Sequence, residues 1–122
     1  MKAIIIDDER LARQELKNLL AVHKEIEVIA ECNNAQSAKE KIAELNPDVI
    51  FLDIQMPGKT GLELIEEVSA LPDVVFVTAY DEYAIKAFEV NAYDYLLKPV
   101  SPERLAETIK KLTLKESSEK KE

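Results

Sequence analysis

The chain has 122 residues, 47% of them hydrophobic and 33% charged, enough for one globular domain with a proper core but not for two. Sixteen basic against 24 acidic residues give a net charge of −8, which argues against nucleic acid or an anionic membrane as a direct partner of this domain. No apolar run approaches the roughly 18 residues of a membrane span, no signal-peptide pattern opens the chain, and a single cysteine excludes an internal disulfide, so a cytoplasmic setting is expected.

Ala3-Ile4-Ile5-Ile6 reads as a short strand buried on both faces, and it ends in carboxylates, Asp7-Asp8-Glu9. Leu11, Ala12, Leu16, Leu19 and Leu20 then recur at helical spacing, with Arg10, Arg13, Glu15 and Lys17 on the other side. His23, the only histidine, follows that helix among polar residues and reads as a solvated position. Glu27 to Glu31 has the look of a strand nearer the sheet edge, and Cys32 after it reads as a small structural residue. Asn33 and Asn34 can cap a helix whose apolar positions are Ala35, Ala38, Ile42 and Leu45; Asn46-Pro47 ends it.

Val49-Ile50-Phe51-Leu52 is the most apolar strand, and Asp53 stands at its carboxyl end before Pro57 and Gly58 open a loop. Gly58 and Gly61, the only glycines, suggest that this loop needs special backbone geometry. Thr60 to Glu63 matches a capping box for a helix that turns Leu64, Ile65, Val68 and Leu71 inward. Val74 to Val77 is the next strand, ending in Thr78, and Asp81 is placed to cap a helix with Ala84, Ile85 and Phe88 on one face. Tyr93 to Leu97 is the last strand, ending in Lys98-Pro99. Ser101-Pro102 then starts a helix with Leu105, Ile109 and Leu112 inward. Residues 115–122 are charged and nearly free of apolar side chains, and read as a fraying helix end or the start of a linker.

Five strands alternating with five helices imply a parallel α/β sheet covered on both faces, in which all carboxyl ends of the strands lie along one edge. That edge would collect Asp7, Asp8, Asp53, Thr78 and Lys98. Three crowded carboxylates repel unless a cation joins them, and a hard divalent ion such as Mg²⁺ answers that need. With a lysine and a hydroxyl beside them, these are the parts that stabilise charge on a transferring phosphoryl group, and one carboxylate can be the nucleophile.

Asp7-Asp8, Asp53-Ile54-Gln55-Met56-Pro57, Thr78-Ala79 and Lys98-Pro99 resemble the receiver domains of two-component response regulators, over residues 1 to about 114 and with no departure at the five key positions. The resemblance implies a flavodoxin-like (βα)5 doubly wound sheet in the order 2-1-3-4-5. It implies that Asp53 accepts a phosphoryl group from a histidine kinase or a small acyl phosphate. Asp8, Asp53 and the carbonyl of Gln55 would bind Mg²⁺, with Asp7 helping through water. Lys98, joined to Pro99 by a cis bond, would pair with a phosphoryl oxygen. Thr78 would move to the phosphoryl group and Tyr95 swing inward, changing the surface of the last two helices and last strand. Such a domain is a signalling phosphoacceptor rather than an enzyme. The segments Thr78 to Glu89 and Tyr93 to Pro99 look most like receivers joined to LytTR-type DNA-binding domains, which implies transcriptional output from a further C-terminal domain, this chain being an excised or a stand-alone receiver. Dimerisation through Phe88, Tyr95 and the outer faces of the last two helices is a further expectation.

Each residue also has a plainer reading. Thr78 can cap the next helix, Tyr95 is spaced like an ordinary strand aromatic, Lys98 can be a solvated strand end, and Asp7-Asp8-Glu9 suits a helix N-terminus. Three other functions fit less well. A small Mg²⁺-dependent phosphatase with an aspartate nucleophile would want a second carboxylate where Gln55 stands. A flavin module would want a phosphate-cradling loop where Asp7-Asp8-Glu9 stands. A receiver used only for docking would have no need of the complete acceptor set.

Overall fold

Alternation along each apolar run explains why the strands are covered on both sides. The computed structural model describes residues 1–120. Its elements are β1 (Lys2–Ile6), α1 (Arg10–Leu20), β2 (Glu27–Cys32), α2 (Ala35–Leu45), β3 (Val49–Leu52), α3 (Gly61–Glu67), β4 (Asp73–Thr78), α4 (Ala84–Glu89), β5 (Asp94–Leu97) and α5 (Pro102–Lys120). The five strands form one parallel sheet in the order β2-β1-β3-β4-β5. This is the flavodoxin-like order expected.

Successive side chains of a strand point to opposite faces. Ile4, Ile6, Ile50, Leu52 and Phe76 therefore pack on one side against Ala38 and Ile42 of α2 and Leu64 and Ile65 of α3. Ala3, Ile5, Phe51, Val75 and Leu96 pack on the other against Leu16 and Leu20 of α1 and Leu105, Ile109 and Leu112 of α5. Register links Ile6 to Leu52 and Leu52 to Phe76 across the central strands, so Asp7 and Asp53 follow neighbouring strand ends.

Caps fall largely where the sequence places them. Asn34 accepts from the Ser37 amide, Thr60 and Glu63 form the reciprocal capping box, and Ser101 Oγ accepts from the Arg104 amide. Asn46, at φ 47°, closes α2 in the left-handed conformation that asparagine tolerates. Asp81 does not cap α4 with its side chain. The cap position is Tyr83, and Asp81 offers its backbone carbonyl to the Ala84 amide.

Several residues expected inward face outward, Ala84 among them. Leu11 is 77% exposed because, five positions before buried Leu16, it lies about 140° round the helix from it. Leu71 lies beyond α3, which ends at Glu67, and is exposed. On α4 the inward residue is Ala87, and Ile85 and Phe88 are 73% and 84% exposed. Residues 115–120 continue α5, and residues 121 and 122 of the charged tail lie outside the described residues.

The two C-terminal helices differ in how they are held. At the start of β5, Asp94 receives both Arg104 terminal nitrogens (2.6 and 2.9 Å) and the Thr108 hydroxyl (2.6 Å) from α5. Further along α5, Lys115 Nζ pairs with Asp73 (2.6 Å) and lies 5.3 Å from the centre of the Tyr93 ring. α4 is six residues long, buries one side chain, and has no side-chain N-cap among the described residues.

Burial pushes the Asp94 carboxyl up, but the bonds from Arg104 and Thr108 outweigh it and hold the group at about 2. A depressed native pKa contributes stability that is present above the unfolded value and lost as pH falls through the native one. Asp94→Ala is expected to destabilise the domain by roughly 2 kcal/mol at neutral pH, the range for a lost charge-assisted hydrogen-bond set. Urea unfolding at pH 7 and between pH 4 and 2 checks this: the gap between wild type and variant narrows across the acid window.

Candidate functional site

The backbone carries the sheet one residue past β1, β3 and β5 and so fixes the roots of the site. The Asp7 amide bonds the Cys32 carbonyl (3.0 Å), the Asp53 amide bonds the Ile6 carbonyl (2.9 Å), and the Lys98 amide bonds the Thr78 carbonyl (2.8 Å). The Lys98–Pro99 bond is cis. The loop after Asp53 folds back on it: the Gly61 amide donates to the Ile54 carbonyl at 2.8 Å. A Cβ on Gly61 would lie 2.3 Å from the Asp53 carbonyl oxygen, so only glycine permits this approach. Gly58 meets the other need, a φ of +83°. The two glycines read from the sequence thus serve angle in one case and space in the other.

All five residues expected at the strand ends meet. Lys98 Nζ lies 2.7 Å from Asp7 Oδ2 and 3.2 Å from Asp53 Oδ2. Asp7, Asp8 and Asp53 each offer a carboxylate oxygen, and the three oxygens lie within 4.8 Å of one another. Asp7 and Asp53 are only 5% and 6% exposed, and Thr78 is fully buried. Asp53 Oδ1 and Thr78 Oγ1 have no hydrogen-bond partner among the described residues. Orphan buried oxygens of this kind typically cost about 1–3 kcal/mol each, so their persistence needs a reason outside folding.

The electrostatics follow from the crowding. Burial pushes the Asp53 carboxyl up; Lys98 pulls it back and Asp7 pushes it up again, and the balance is upward. Burial pulls the Lys98 ammonium down, but its bonds and attraction to Asp7 and Asp53 prevail and its pKa rises. A donor set of three carboxylates with oxygen atoms this close suits a hard divalent cation such as Mg²⁺.

Gln55 is exposed in the loop after Asp53, and its side-chain nitrogen donates to the Tyr83 hydroxyl. Tyr95 is half-buried, its ring centre 6.1 Å from that of Phe76, and its hydroxyl donates to the Tyr80 carbonyl. The aromatic thus has one face in the core and its tip at the surface. Thr78 is not a helix cap, because α4 begins with Tyr83 as its cap.

Sequence reasoning missed two supports. Arg13, assigned to a solvated face, donates to the Asp7 carbonyl at 2.7 Å and pairs with Glu31 at 3.2 Å. Its position three residues after Arg10 carries no signal of this role. The Glu9 amide, which donates to Asp7 Oδ1 at 2.9 Å, orients that carboxylate from the α1 entry. His23 pairs with Glu25 (3.5 Å), and Cys32 is buried; neither approaches the acidic cluster.

Residues 3–110 match the response regulator receiver domain family, and the chain belongs to it. It is 56% identical over 114 residues to an uncharacterised response regulatory protein of Vibrio cholerae, covering 92% of this chain and 48% of that one. It is 46% identical over 121 residues to the transcriptional regulatory protein BtsR of Escherichia coli K12, covering 98% of this chain and 51% of that protein. The chain therefore spans about half the length of the curated relatives it matches. Among solved structures, the response regulatory domain of mrkE from Klebsiella pneumoniae superposes with a TM-score of 0.86 at 38% identity, covering 93% of this chain and 96% of that one. The receiver domain of AraT from Geobacillus stearothermophilus gives 0.87 at 34% identity, covering 98% and 97%.

A carboxylate with a raised native pKa favours folding most when protonated, and that contribution falls as pH rises through the raised value. In its ionised form Asp53 therefore works against folding. Asp53→Asn is expected to raise the thermal midpoint by a few degrees in EDTA, the shift that about 1 kcal/mol gives a domain of this size. Calorimetry at pH 7 and again at pH 4 checks it, with the smaller gain at pH 4. Gly61→Ala is expected to lower the midpoint of the same protein, since its Cβ collides with backbone.

Proposed function

We propose that this receiver domain is a stoichiometric phosphoacceptor, with Asp53 taking a phosphoryl group from the phosphohistidine of a sensor histidine kinase or from a small acyl phosphate. The observation that carries this reading is the pairing of two buried, unpartnered oxygens, Asp53 Oδ1 and Thr78 Oγ1, beside an ammonium group. One oxygen can serve as a nucleophile, and the other is a hydroxyl that acts on the Asp53 carboxyl.

In the transfer, an Asp53 oxygen forms a bond to phosphorus while the phosphorus–nitrogen bond of the donor breaks. The electron pair leaves with the imidazole nitrogen, which takes up a proton. Lys98, held between Asp7 and Asp53, balances negative charge as the phosphoryl group arrives. Asp7, Asp8, Asp53 and the carbonyl of Gln55 are the groups that would hold Mg²⁺, which supplies further charge neutralisation when bound. The phosphoryl group gives Thr78 Oγ1 the acceptor it lacks, and drawing Thr78 toward it opens space for the Tyr95 ring, whose hydroxyl then leaves the Tyr80 carbonyl.

The surface that changes contains α4, β5 and the exposed side of α5. Ile85, Phe88 and Leu97 are exposed apolar side chains there, which supports dimerisation through this face. The half-length match to transcriptional regulators supports a C-terminal output domain, of LytTR type on the residues of the Thr78 and Lys98 segments, with DNA contacted by that domain and not by this acidic one. Among the described residues no helix is long and apolar enough to cross a membrane, and a cytoplasmic setting fits a kinase-dependent regulator.

Incubation with Mg²⁺ and acetyl phosphate is expected to add one phosphoryl group, about 80 Da by intact mass, labile to base and absent from Asp53→Ala. A protein that gains no mass and whose site residues do not respond to beryllofluoride would be a docking module instead. Continued turnover of an external phosphate ester would make it an enzyme.

A further inference from the structure

Asp53 and α4 are also joined by a path that does not pass through Thr78. Gln55, two residues after Asp53, donates from its side chain to the hydroxyl of Tyr83. Tyr83 occupies the N-cap position of α4, yet its side chain makes no cap bond and reaches back to the β3–α3 loop instead. The Tyr83 ring also meets Tyr80 edge to face, centres 6.3 Å apart at 78°, and the Tyr80 carbonyl holds the Tyr95 hydroxyl. Gln55, Tyr83, Tyr80 and Tyr95 thus form a continuous series of contacts from the acceptor loop to the edge strand.

What this series holds matters because α4 is otherwise lightly secured. It buries only Ala87, and turns Ile85 and Phe88 to solvent. α5, in contrast, is tied down by the Asp94–Arg104–Thr108 bonds and by Lys115 on Asp73. An element with few buried contacts opens at low free energy, so one well-placed bond at its start has a large say in where it sits.

We propose that Tyr83 is a positioning residue that latches α4 to the acceptor loop through the Gln55 side chain, so that loop and helix shift together. The inference deepens the phosphoacceptor reading and rests on it for the meaning of the motion. By reciprocity, whatever moves Gln55 moves α4, and whatever fixes α4 biases the acceptor loop.

The test is amide hydrogen exchange of the whole chain, free of metal and phosphodonor. Tyr83→Phe keeps the ring and its contact with Tyr80 and removes only the hydroxyl. Exchange of the α4 amides is expected to quicken roughly three- to tenfold, the effect of one lost hydrogen bond, while α5 amides stay at the wild-type rate. Gln55→Ala is expected to reproduce the rise, and the double variant to add nothing further. Wild-type α4 rates in both single variants, or effects that simply multiply in the double, overturn the latch. A failure of the phosphoacceptor reading shows elsewhere, as no response of the Gly61 and Lys98 amides to Mg²⁺ with beryllofluoride, and leaves the metal-free comparison decisive for the latch.

Discussion

Lys98 sits between two buried carboxylates, Asp7 at 2.7 Å and Asp53 at 3.2 Å, and the geometry of the whole strand-end edge depends on that bridge. One ammonium group faces three acids, so the cluster keeps a net negative charge in a place with little water. The carboxylates that one ammonium cannot balance are left as excess buried charge, which costs stability. The site is thus built against stability. Its unpartnered oxygens, Asp53 Oδ1 and Thr78 Oγ1, carry the same message as its charge.

The fold bears this cost by making everything beneath the site rigid. β1, β3 and β4 are apolar on both faces, and the backbone ladder continues through Asp7 and Asp53 before the loops begin. Gly61 lets α3 close directly on the Asp53 carbonyl. Around this rigid floor the C-terminal elements are graded. α5 is fastened to β5 and to the start of β4 by ion pairs, whereas α4 rests on one buried alanine and the Tyr83 contacts. On the phosphoacceptor reading, a change of charge at Asp53 would meet one lightly held element and one firmly held one, which would give a local event a direction.

Much of this was legible in the sequence because the signals were of the strong kind. Three uninterrupted apolar runs, Ala3–Ile6, Val49–Leu52 and Val74–Val77, read as covered strands, and topology then carried Asp7, Asp8, Asp53, Thr78 and Lys98 to one edge whatever the loops did. Caps at Asn34, Thr60 and Ser101 followed from local hydrogen-bond chemistry. What escaped was set by tertiary context. Ile85 and Phe88 share a spacing that suits burial, yet the six-residue α4 turns Ala87 inward, and they lie about 160° and 100° round the helix from it. The charged run after Leu114 gave no apolar stripe to read, and its helix draws support from Lys115 on Asp73 and Tyr93, distant in sequence. Arg13 looked like one more solvated cation because its partner is a backbone carbonyl, which no residue pattern announces.

The claim that this charge cluster exists for a cation and a phosphoryl group is tested most directly by following the thermal midpoint against Mg²⁺ concentration, in wild type and in Asp53→Asn. A ligand that binds only the folded state raises the midpoint with the logarithm of its concentration once that exceeds the Kd. The account predicts a steady rise for the wild type and a much weaker one for the variant. A wild-type midpoint indifferent to Mg²⁺, or equal slopes for the two proteins, would contradict it.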